Sequence, residues 1–144
     1  MIVEKGIYIE FYSFLMIHIS QNIEIIFGKI ADYWIEDGIL FSRSKPVKRT
    51  VSLIQENIAL VKEITQNKPI PLLIYLCKSP IPDKATRQYS KEQLSSVYSA
   101  MAMVSEPGLS QLIMKMVFQF QKPPIPMKSF SNELDAKNWL QQFK

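Results

Sequence analysis

The chain has 144 residues, of which 47% are hydrophobic and 21% charged, and a formal net charge of +4. That is enough chain to bury roughly two-thirds of its unfolded surface in one core without covalent staples. One cysteine and one histidine exclude an internal disulfide and a metal cluster of ordinary ligand spacing, and a lone thiol fits a reducing, cytoplasmic setting.

Residues 1–22 read apart from the rest. Phe11 to Ile19 is apolar except for Ser13 and His18, but nine such residues are too few to span a bilayer. The basic start and small-residue cleavage site of a signal peptide are also missing. The segment is either an upstream extension, with Met16 the start, or an added edge strand built on Ile7-Tyr-Ile-Glu-Phe-Tyr12. His18 lies within it, which leaves no placed base.

A single domain is expected over 23–144. From Asn22 to Trp34 the alternation of Ile23, Ile25 and Phe27 with Glu24 predicts a strand. Asp37-Gly38 then turns the chain, and Ile39 to Arg43 resumes the alternation, predicting an N-terminal β-hairpin. Arg43, Lys45, Lys48 and Arg49 crowd the next loop. Aromatic residues do not interleave with these cations, so they are read as a solvated loop and not as a nucleic-acid site.

Val51, Ile54, Ile58 and Val61, widened by Leu53, Leu60 and Ile64, predict an amphipathic helix over 51–65. Thr50 or Ser52 is its cap, with Gln55 completing a capping box after Ser52. Pro71 to Cys77 is uninterrupted and apolar, as expected of a central strand buried on both faces. Cys77 at its end is read as a packed thiol. Asp83 caps a polar helix through about Leu94, and Val97 to Val104 forms a second buried strand.

Gly108 leads into a helix from Leu109 to about Gln121. Its core face is expected on Leu109, Leu112, Ile113, Met116, Val117 and Phe120, with Met114 and Phe118 well round the cylinder. Met127 to Phe130 is a short strand, and Ser131 caps a final helix with Ala136, Leu140 and Phe143 turned inward.

No Gly-x-Gly or Gly-Lys-Ser/Thr pattern cradles a phosphate, and no nucleophile–base pair stands out. No cofactor is implied. Two regions hold functional interest. The rim formed by loops after the buried strands carries Ser79, Asp83 and Ser105, where open α/β sheets receive ligands. Met114 and Phe118, off the expected core stripe, are candidates for a partner surface, an apolar-ligand pocket or a homodimer contact.

The element order, together with Trp34-Ile-Glu-Asp-Gly-Ile39, Pro69-Ile-Pro-Leu-Leu-Ile74, Ala85-Thr-Arg87, Lys122-Pro-Pro-Ile-Pro126 and Trp139-Leu140, resembles a family. It is that of small bacterial STAS-like proteins, related to anti-sigma-factor antagonists and of unknown function. The resemblance covers about 24–143 and implies an α/β fold: a mixed, mostly parallel sheet of about five strands with about four helices. It further implies a cytoplasmic, non-enzymatic regulatory module that binds a partner protein, or a carrier or sensor of a small apolar or lipid-like ligand. True antagonists carry a phosphorylatable serine in an Asp-x-Ser context just after the central strand. Here that strand ends Tyr75-Leu-Cys77, so Ser79, followed by Pro80, is the nearest candidate acceptor.

Overall fold

The structure, a computed structural model, describes residues 23–119 and 121–144. The segment 1–22, with its alternatives of extension or edge strand, and Phe120 lie outside those residues.

Among the described residues six strands form one sheet in unbroken sequential order. They are β1 (Ile26–Phe27), β2 (Ala31–Glu36), β3 (Ile39–Ser44), β4 (Ile70–Tyr75), β5 (Tyr98–Val104) and β6 (Met127–Phe130). The first three pair antiparallel, and β3 through β6 run parallel. The helices are α1 (Val51–Thr65), α2 (Lys84–Val97), α3 (Leu109–Phe118) and α4 (Glu133–Leu140), followed by a short 3-10 turn at Gln141–Phe143.

Three crossovers joining neighbouring parallel strands in one direction, all of the usual hand, must lie on one side of the sheet. Residues of α1, α2 and α3 pack there against Tyr33, Leu40, Leu72 and Met103. The opposite face carries Trp34, Ile39, Phe41 and Leu73, and α4 covers it with Ala136 and Leu140. Leu72 and Leu73 of β4 therefore serve different cores, which is why that strand needs an unbroken apolar run. Of the inward residues expected of the final helix, Ala136 and Leu140 are buried, while Phe143 lies in the 3-10 turn and is only partly buried.

The hairpin turns at Asp37 and Gly38, whose φ values of 52° and 73° are both left-handed. That is the geometry for which Asp-Gly is suited. The single strand expected over 22–34 is instead two, which gives six strands among the described residues where about five were expected. Gly28 breaks the segment: its N–H donates to Ala31 O at 3.0 Å, and a Cβ there would stand 2.5 Å from that same oxygen. A backbone oxygen that close cannot give way, so only glycine closes this turn.

Thr50, not Ser52, caps α1, its hydroxyl accepting from Leu53 N at 3.2 Å. With the cap at Thr50 the third helical residue is Leu53, so no capping box forms. Asp83 caps α2 as expected, although that helix runs on to Val97. Asn132 caps α4 in place of Ser131, accepting from Asp135 N at 2.9 Å.

In β5 the register against β4 slips between Ile70/Tyr98 and Pro71/Ala100, leaving Ser99 as an extra residue. This bulge puts Tyr98 and Met101 in one core and Ala100 and Ala102 in the other.

The orientation of α3 differs from expectation. Ser110 and Phe118 are its buried residues and Met114 packs on the core beside them, whereas Leu112 is 53% exposed. The inward stripe is therefore Ser110–Met114–Phe118, at i, i+4 and i+8. Met114 and Phe118 face the sheet and are not an outward surface. The helix is apolar almost all round, so its periodicity selects no face. The small Ser110 and the neighbouring Met103 and Met127 decide it.

Candidate functional site

Three loops leave the carboxyl ends of adjacent parallel strands and share one end of the sheet. The loop after β3 carries Ser44 to Thr50, the one after β4 spans Leu76 to Asp83, and the one after β5 spans Ser105 to Gly108. Leu76 N donates to Val104 O at 3.0 Å, and the Cys77 thiol lies 3.3 Å from Ser44 O. The three loops are thus tied to one another at their bases.

The basic loop is less free than its composition suggests. Arg49 donates to the carbonyls of Lys45 and Val47, each at 2.7 Å, and of Ile30 at 3.0 Å. Lys45 pairs with buried Asp32 at 2.9 Å and also donates to Gly28 O. These two cations bind the loop to the β1–β2 turn. Lys48, by contrast, is exposed.

Ser79 is exposed in the β4–α2 loop, four residues ahead of the cap of α2. Asp83 occupies the cap itself, its carboxylate accepting from Thr86 N at 2.8 Å. The backbone and side-chain hydrogen bonds of Thr86, then the charges of Lys48 and Arg87, hold that carboxyl below its ordinary range. The capping contribution is therefore complete at neutral pH and disappears only as acid protonates Asp83. Arg87 donates to Pro82 O at 2.6 Å, pinning the same loop. Ser105 hydrogen bonds to Glu106 O at 3.0 Å, a turn contact. Ser79 and Asp83 thus share one loop, and Ser105 stands on its neighbour.

Cys77 is half-buried, and burial pushes its thiol up, with Arg49 and Arg43 only partly opposing the rise. Alkylation by iodoacetamide at neutral pH should accordingly run slower than on an unstructured cysteine, with a rate midpoint above that of an ordinary thiol. A midpoint below the ordinary thiol value would show a thiolate stabilised by the arginines instead.

What sequence reasoning missed is the apolar decoration of this end. Ile81 is 61% exposed in the β4–α2 loop, and Leu134 is 67% exposed on the first turn of α4, just after β6. Val47 in the β3–α1 loop and Leu112 on the first turn of α3 are exposed as well. All four follow the carboxyl end of a parallel strand. The signal was available for Ile81: a branched apolar residue between Pro80 and Pro82 has no element in which to hide.

Beside α3 a cleft of about 550 Å³ opens along β6. Met103, Met114, Phe118 and Met127 contribute its apolar lining, with Lys115 and Lys128 at its margin. Met114 and Phe118 are thus placed together, as core residues that also wall a cleft. A smaller notch of about 210 Å³ lies between the β1–β2 turn and α1, edged by the Lys29–Glu56 ion pair at 2.7 Å. Among the described residues no three His, Cys, Asp or Glu side chains are grouped to hold a metal ion, and no helix is long and apolar enough to cross a membrane.

A family model described as "Domain of unknown function (DUF7793)" matches residues 33–144. Among solved structures, the chain is similar to an uncharacterised protein of the DUF3478 family from Shewanella loihica PV-4, which has a SpoIIAA-like fold. Identity is 18% over 82% of this chain and 91% of that one, with a TM-score of 0.50. The likeness establishes the STAS-like, SpoIIAA-like architecture read from the sequence. Comparison with curated proteins gives no match.

Proposed function

We propose, for a chain that belongs to the DUF7793 family of domains of unknown function, a non-enzymatic regulatory role as a protein-interaction module. Its working surface is the end of the sheet where the parallel strands finish. The observation that carries this reading is the placement of Val47, Ile81, Leu112 and Leu134, all exposed and all following that strand end. Scattered exposed apolar residues are ordinary on any surface. Their recurrence on the segments after four successive parallel strands is what favours docking.

The cleft beside α3 supports a second reading, that of a carrier for a small apolar ligand. Three methionines and a phenylalanine give its walls a soft, adaptable character suited to variable aliphatic chains.

Native mass spectrometry of the protein purified from its own cells, before and after denaturation, separates the two. The module reading expects a stoichiometric protein partner that is lost from an Ile81→Ser/Leu134→Ser variant with an unchanged melting temperature. A small added mass that vanishes on denaturation, with no protein bound, would favour the carrier instead.

A further inference from the structure

We infer that the loops after β3 and β4 form a docking surface for an acidic, partly apolar segment of a partner protein. This rests on the interaction-module reading and names the chemistry of the partner. Ser44 and Cys77 join the two loops through the 3.3 Å contact, and Lys48 is close enough to Asp83 to lower its carboxyl pKa. On this joint surface Lys48, Lys78 and Lys84 are exposed, with Val47 and Ile81 standing among them. Asp83 is the one acidic residue of the two loops, 44–50 and 76–84, and its carboxylate is already committed to capping α2.

The surface is therefore cationic with apolar points. It matches a segment in which carboxylates alternate with aliphatic side chains, while bare polyanions would leave Ile81 and Val47 uncovered. A stacking platform for bases would need exposed aromatic rings, and residues 44–50 and 76–84 contain none. The loops are also stiff: Pro46, Pro80 and Pro82 fix their backbones, and Arg49 and Arg87 pin them to carbonyls. Little ordering entropy remains to be lost on binding.

The test is fluorescence anisotropy with a labelled peptide of alternating glutamate and leucine, and a DNA duplex of equal charge as comparison. The wild-type protein should bind the peptide more tightly than the duplex, with affinity falling as salt is raised. Lys48→Glu/Lys78→Glu/Lys84→Glu should weaken peptide binding about tenfold or more, given three exposed charges reversed. Ile81→Ser should weaken it at every salt concentration without changing the salt slope. Thermal melts confirm that both variants are folded, the lysines and Ile81 being exposed.

Peptide affinity unmoved by either variant would overturn the inference, as would tighter duplex binding that ignores Ile81→Ser. A native partner that survives the lysine reversals yet is lost with Leu134→Ser would place docking at another part of the strand ends. The interaction-module reading would then stand and this one would fall. Concentration-dependent self-association abolished by the lysine reversals would assign the surface to a second copy of the chain, and would also overturn it.

Discussion

Replacing Trp34 by alanine is expected to destabilise the fold by about 3–5 kcal/mol, the usual cost of emptying a large aromatic site in a core. Trp34 is 2% exposed and lies between two rings: Phe41, with centroids 5.3 Å apart and planes 19° off parallel, and Tyr75 at 6.2 Å. The stack crosses β2, β3 and β4, so one side chain couples three strands. Ala136 and Leu140 of α4 belong to the same cluster, and neither can grow to refill the hole. For a domain of this size each kcal/mol moves the melting temperature by roughly 3 °C, which places the expected fall near 10 °C. A loss of less than about 1 kcal/mol in urea unfolding would mean that the face collapses without strain, contrary to its packing.

Lys45→Met should cost about 3 kcal/mol, although it replaces a surface-reaching cation by an apolar side chain of similar length. Asp32 is 3% exposed, and Lys45 Nζ stands 2.9 Å from its Oδ1. Removing the cation leaves a carboxylate buried without a countercharge, which is worse than removing both. Asp32→Asn/Lys45→Met should therefore be less unstable than the sum of its single variants, with a coupling of about 1–3 kcal/mol in a double-mutant cycle. Strict additivity in that cycle would show that Asp32 is stabilised by something other than Lys45. With Arg49, which donates to three carbonyls, Lys45 makes two of the three cations of the loop architectural.

The parts of the fold most legible in the sequence were those with a local physical signature. Asp37-Gly38 names its own turn through left-handed backbone angles, and Pro71 to Leu76 announces burial on two faces by lacking any charge. The apolar face of α1 was readable because its opposite face is polar. In α3 that contrast fails: Leu112, Ile113, Met114, Met116 and Phe118 are all apolar, and the face that won was set by Met103 and Met127 on the sheet. Such information is tertiary and does not reside in the helix. The bulge at Ser99 is likewise a property of two strands together, since alternation from Tyr98 alone would place Ala100 in the wrong core. At the strand ends, Asp83 was recognisable as a cap from its position before a helix. The roles of Lys45 and Arg49 were not, because their partners Gly28, Ile30 and Asp32 lie in the β1–β2 turn and the start of β2.

The sequential strand order has a consequence for how the molecule comes into being. Each described strand after β1 pairs with the one made just before it, so the sheet can lengthen in step with synthesis, each parallel addition closing a single helix-containing crossover. The exception is α4, which reaches back over the hairpin: Lys137 pairs with Glu36 at 3.0 Å and Lys144 with Asp37 at 3.2 Å, across more than a hundred residues in each case. Among the described residues α4 is the helix that covers the Trp34–Phe41 face, so that face stays largely open until α4 has been made. One side of the sheet is thus furnished by helices as the strands are made, while the other waits for α4.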